Sequence, residues 1–150
     1  MGAEPKLKHS PRTGEPIHFS AGAIIKNSNG EYLMIDRLKP PFGFACPAGH
    51  IDEGEEGEEA VKREVEEETG LTVKSIKYID TSDFILDVPQ ETCSRGVSKH
   101  IWQIFEVEAE GDLIFKDDEV KSIAWYSVEE IKKLPLESVW KFWSENLKII

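Results

Sequence analysis

Residues 49–71 read Gly49-His50-Ile51-Asp52-Glu53-Gly54-Glu55-Glu56-Gly57-Glu58-Glu59-Ala60-Val61-Lys62-Arg63-Glu64-Val65-Glu66-Glu67-Glu68-Thr69-Gly70-Leu71. Glu64, Glu67 and Glu68 stand at i, i+3 and i+4, which places all three on one face of a helix. Like charges at that spacing cost a bare helix a few tenths of a kcal/mol, so a cation is expected to hold them together. Hard divalent ions such as Mg²⁺ take oxygen ligands of this kind and fill their remaining positions with water and substrate phosphates. Residues 52–57 are too rich in glycine and acid for a helix interior and read as a loop. The helix is predicted over 58–69. Ala60, Val61 and Val65 recur near the helical period, acids in the first turn suit the helix dipole, and Gly70 is the expected stop. Ahead of it, Pro47-Ala48-Gly49 reads as a turn after an extended segment over 42–46.

This stretch resembles the signature box of the Nudix hydrolases. The family pattern is Gly, five residues, Glu, seven residues, Arg-Glu, an aliphatic, any residue, Glu-Glu, any residue, Gly, an aliphatic. Gly49, Glu55, Arg63, Glu64, Val65, Glu67, Glu68, Gly70 and Leu71 meet every fixed position across 23 residues. An ordinary exposed acidic helix would account for the glutamates, but for neither the paired glycines nor Arg63. In weaker form the resemblance runs from about Phe19 to the C-terminus. It implies an α/β fold, an α/β/α sandwich with a mixed β-sheet between helices and a loop-helix-loop metal site.

The resemblance also implies an activity: metal-dependent hydrolysis of a nucleoside diphosphate linked to some other group X. The barrier to that reaction is charge, because an anionic substrate repels its nucleophile, and divalent ions lower it. Mg²⁺ or Mn²⁺ is the expected cofactor, since an all-oxygen site suits either. By position, Glu64, Glu67 and Glu68 are the implied metal ligands, helped by a backbone carbonyl at Ala48 or Gly49. Arg63 is expected to orient the glutamates and Glu55 to support the loop. Glu64 and Glu67 are candidates for the general base. Glu119, six residues before Trp125, is a further candidate to bind metal or activate water, a solvated acidic turn being the plainer reading. Arg37 and Lys39, between the second strand and the box, could hold phosphate. Phe44 could stack on a base, as could Phe42 and Trp102, although aromatic residues in strands are more often core.

Composition bounds the partners. The chain has 150 residues, enough for one domain with a real core. Its formal net charge is −11, and the ten acids between Asp52 and Glu68, set against Lys62 and Arg63, supply −8 of that. An acidic surface argues against a nucleic-acid partner but not against a small nucleotide substrate bridged by metal. Cys46 and Cys93 lack CxxC spacing and read as free thiols in a reducing compartment. No apolar run approaches membrane-spanning length and no signal peptide is visible, so no membrane partner and a cytoplasmic location are expected. Relatives are often dimers; a homodimer is compatible with the sequence, which shows no dimer seam.

Outside the box, residues 1–18 read as a polar leader and 19–150 as the Nudix domain. Strands are expected over 19–25 and 32–35, joined as a hairpin by the turn Asn27-Ser28-Asn29-Gly30. Further strands are expected over 72–81, 99–109 and 122–126, and helices over 128–133 and 136–147. Residues 82–97 read as a long loop. The coenzyme A signature and the Ser-Gln-Pro-Trp element of the NADH enzymes are absent. Pro89, 19 residues past Gly70, lies too far along for the proline of the ADP-ribose enzymes. These absences favour a compact nucleoside triphosphate pyrophosphatase, including the kind that removes oxidised nucleotides. A dinucleoside polyphosphate, ADP-ribose or nucleotide-sugar hydrolase is the alternative. From another class, a non-catalytic nucleotide sensor would be expected to show an eroded box.

Overall fold

The computed structural model describes residues 7–9, 16–38, 42–81, 86–87, 99–116, 118 and 120–150. In chain order the elements are β1 (Leu7–His9), β2 (Pro16–Ile25), β3 (Tyr32–Arg37), β4 (Gly43–Ala45), β5 (Ala48–His50), α1 (Gly57–Thr69), β6 (Thr72–Thr81), β7 (Leu86–Asp87), β8 (Lys99–Glu110), β9 (Val120–Tyr126), α2 (Val128–Ile131) and α3 (Ser138–Asn146). A six-stranded mixed sheet has the order β1-β2-β8-β6, with β5 against β2 and β7 against β8. Its parallel pair, β2 and β8, runs in register from His18↔His100 to Ile25↔Val107. A second sheet, β4-β3-β9, is antiparallel.

Side-chain alternation explains why helices cover both faces. On β2, Ala21, Ala23 and Ile25 join the core beneath α1, while Ile24 joins the core beneath α3. On β8, Phe105 and Val107 take the first side, Trp102 and Ile104 the second. A strand buried on both faces reads as a continuous apolar run, as 19–25 does. Helix α1 sets Ala60, Val61 and Val65 into one core; α3 sets Trp140 and Trp143 into the other. Fully burying Val61 or Val65 is worth about 1.5–3 kcal/mol each, against a few tenths for each like-charge pair. Packing therefore holds α1 in place despite its acids.

Two expectations are corrected. The turn at Asn27–Gly30 forms, with Asn27 N–H donating to the Glu31 carbonyl (2.9 Å), but no hairpin ladder follows it. β2 and β3 meet at the single bridge Lys26↔Tyr32 and enter different sheets. β8 occupies one edge of β2. Residues 47–50 occupy the other, through the β5 pairing Ser20↔His50 to Gly22↔Ala48 and a bond from Ala23 N–H to the Pro47 carbonyl (2.9 Å). The second correction is β5 itself, which stands where a turn was expected. Its partner lies far away in sequence, so no local signal announces it. β1 and the start of β2 also fall inside the stretch read as a leader and pair with each other from Leu7↔His18 to His9↔Pro16. Of the long-loop residues, Leu86 and Asp87 pair with β8; Cys93 lies outside the described residues. Among the described residues no helix is long and apolar enough to cross a membrane.

Candidate metal centre

Helix α1 begins in a capping box: Glu59 accepts from Glu56 N–H at 3.1 Å. It ends at Gly70, whose left-handed backbone (φ 80°) closes the last turn with a bond to the Glu66 carbonyl at 3.2 Å. Between these ends Arg63 acts as a hub. It grips Glu55 through Nε (2.9 Å) and Nη2 (3.0 Å), the His50 carbonyl through Nη2 (3.0 Å), and Glu64 through Nη1 (2.7 Å). Asp52 lies 3.3 Å from Nη2 and Glu67 3.6 Å from Nη1. Glu55 also accepts from Asp52 N–H at 2.9 Å, fixing the loop ahead of the helix. The guanidinium therefore stands between Glu64 and Glu67 and ties both to the 49–55 loop.

Gly49 faces the Glu64 carboxylate so closely that a Cβ there would lie 2.2 Å from Glu64 Cδ. Next to it, Ala48 N–H donates to Glu68 at 2.9 Å. β5 thus brings the backbone of Ala48 and Gly49 against two of the three glutamates. Glu67, 60% exposed, points outward, and Glu66 turns away to accept from Val73 N–H at 3.1 Å. Three carboxylates on one face and a cradle that only glycine leaves open suit a hard divalent ion. Among the described residues no three acidic, histidine or cysteine side chains yet converge as a ligand set; Arg63 is the cation between Glu64 and Glu67.

Burial pushes the Glu64 carboxyl up to about 7. The adjacent Arg63 works against this shift, and Glu67 and Asp52 add to it. Hydrogen bonding to Arg63 chiefly holds Glu55 below its ordinary value. The two have opposite consequences for stability. Glu55's contribution is present above its unfolded value near 4.5 and lost as pH falls through its lowered folded value. Glu64's is fully present below 4.5 and lost as pH rises through about 7. In EDTA, raising pH from about 5.5 to 7.5 is expected to remove on the order of 1–3 kcal/mol through Glu64. Urea unfolding at the two pH values checks it; Glu64→Gln should flatten the difference.

The other candidates lie elsewhere. Arg37 Nε stands 3.8 Å from the buried carboxylate of Glu137, at the start of α3. Phe44 packs edge-to-face on Tyr126 at 5.7 Å, and Trp102 on Trp140 at 5.7 Å, inside the α3-side core. Lys39 and Glu119 lie outside the described residues. Sequence reasoning did not single out Asp52, His50's carbonyl or Glu137; only the folded chain shows what they touch. Cys46 is a free, buried thiol against Met34, its sulfurs 3.7 Å apart, and burial with Glu137 nearby pushes it far above the ordinary thiol range.

The NUDIX domain profile matches residues 16–144. The chain is 32% identical over 123 residues to the nucleoside triphosphatase NudI of an Enterobacter species, covering 75% of this chain and 84% of that one. It is 38% identical over 69 residues to an RNA pyrophosphohydrolase of Vibrio atlanticus, a match spanning 46% of this chain and 40% of its relative. The NUDIX domain of Shewanella oneidensis NrtR, solved with ADP ribose, superposes with a TM-score of 0.71 at 17% identity, over 94% of this chain and 92% of that one. The chain belongs to the Nudix family and has its α/β/α fold. It is a Nudix hydrolase, a pyrophosphohydrolase of acid anhydrides. Enzymes of this family generally use divalent metals.

Proposed function

We propose that this chain is a Mg²⁺- or Mn²⁺-dependent pyrophosphatase of nucleoside triphosphates, oxidised ones included. The observation that carries the proposal is the cradle: Glu64 against Gly49, locked by Arg63, beside Glu68 on Ala48 N–H. Glu64, Glu67 and Glu68, with the carbonyl of Ala48 or Gly49, would hold the ion. When bound, the ion offsets phosphate charge and eases attack by water. Arg63 orients Glu64 and keeps the loop against the helix. Glu119 is the further candidate to hold metal or a proton. Arg37, with 31% of its side chain exposed, and Lys39 are the candidates to hold phosphate; a guanidinium has five N–H donors, more than one carboxylate takes. With Phe44 packed on Tyr126, the exposed Phe42 is the better placed ring to meet a base.

The relative named a nucleoside triphosphatase supports this substrate class, because its similarity spans most of both chains. The concentrated negative charge weighs against a long nucleic-acid substrate. The buried free thiol of Cys46 fits a reducing, cytoplasmic setting. The test is phosphate release with Mg²⁺, coupled through inorganic pyrophosphatase or a phosphatase, across a panel of ordinary and oxidised nucleoside triphosphates, ADP-ribose, nucleotide sugars, dinucleoside polyphosphates and NADH. Turnover of the triphosphates, abolished by EDTA, is expected. Turnover confined to another class would replace the substrate assignment. Tight nucleotide binding without any turnover would favour a sensor.

A further inference from the structure

Glu64, Glu66, Glu67 and Glu68 crowd the last two turns of α1, and its last turn holds no basic residue. The C-terminal end of a helix carries partial negative charge, so anions there are unfavourable. Three of the four carboxylates are held by N–H donors: Glu64 by Arg63, Glu66 by Val73, Glu68 by Ala48. Glu67's carboxylate stands 3.6 Å from Arg63, beyond hydrogen-bond length. Its position is therefore set mainly by its backbone.

That backbone is gripped from a distant segment, residues 113–116, between β8 and β9. Lys116 Nζ donates to the Glu67 carbonyl, 49 residues away in sequence. Ile114 N–H donates to the Thr69 carbonyl at 2.9 Å. Ile114 also packs flush over Gly70, where a Cβ would lie 2.5 Å from Ile114 Cγ1. Leu113 rests on the α1-side core, and Val120 N–H donates to the Lys116 carbonyl at 3.0 Å, joining the segment to β9.

We propose that residues 113–116 form a strap fixing the last turn of α1, with Lys116 as a positioning residue acting through Glu67. The strap supplies the cation that the helix end lacks and fixes the turn that presents Glu67 and Glu68. This rests on the reading of those glutamates as ion-holding groups. The test compares Lys116→Met and Lys116→Arg with wild type by Mn²⁺ binding without nucleotide, by kcat and KM, and by Tm. Lys116→Met is expected to weaken Mn²⁺ binding about tenfold and lower kcat by a similar factor, with KM for nucleotide little changed; Lys116→Arg should retain both.

The sign is diagnostic. A merely nearby positive charge would oppose the ion, so its removal would tighten Mn²⁺ binding. Unchanged or tighter binding by Lys116→Met overturns the proposal, and so does a fall in Tm with affinity and kcat intact. Wild type that binds Mn²⁺ but cleaves nothing would sink the proposed activity, while the Mn²⁺ comparison still decides the strap. Wild type that binds no Mn²⁺ overturns both.

Discussion

Glu67→Gln is expected to lower kcat by on the order of 10²- to 10³-fold with Tm unchanged or slightly raised. The carboxylate is 60% exposed and stands 3.6 Å from Arg63, beyond hydrogen-bond length, so among the described residues the fold loses little without its charge. Like-charge repulsion between the two glutamates, which helps to push the Glu64 carboxyl up, is relieved at the same time. What disappears is an anionic oxygen on the face proposed to hold the ion that offsets phosphate charge. Steady-state kinetics beside a thermal melt separate the two effects. A variant that kept wild-type turnover would remove Glu67 from the metal set.

Gly49→Ala is the second large effect and reaches the same chemistry from the backbone. The new methyl would stand 2.2 Å from Glu64 Cδ, 2.3 Å from Oε1 and 2.6 Å from Oε2. These are the far atoms of a flexible side chain, so the strand can persist while Glu64 swings aside. The cost then falls on position: a carboxylate displaced by about 1 Å loses on the order of 10²-fold in rate. The expected result is a folded protein with weakened Mn²⁺ binding and kcat down by that factor. Unaltered Mn²⁺ affinity would mean that the cradle has no part in holding the ion.

The sequence was most legible where local and global signals agree. The helix read over 58–69 forms from Gly57, because Gly70 and the spacing of Ala60, Val61 and Val65 point to the same ends. The strands read over 72–81 and 99–109 form within a residue of their expected bounds. Arg63, Glu64, Glu68 and Gly49 come together in the folded chain beside Ala48, and the fixed spacing of the box had already grouped those four. What could not be read is pairing between distant segments. Asn27-Ser28-Asn29-Gly30 announces a turn but cannot reveal that residues 47–50 hold the edge a hairpin would need. Nor does anything around Lys116 or Glu137 mark them, because their partners, the Glu67 carbonyl and Arg37, are remote in sequence.

The guanidinium between Glu64 and Glu67 also bears on how an ion would arrive. It would meet acids already compensated, not a nest of naked charge. Loading is then an exchange of one cation's influence for another's, and its free energy is a small difference between two large attractions. Such a centre would bind less tightly than its tally of carboxylates suggests and would release more readily. That behaviour would suit an ion that arrives and departs together with its nucleotide.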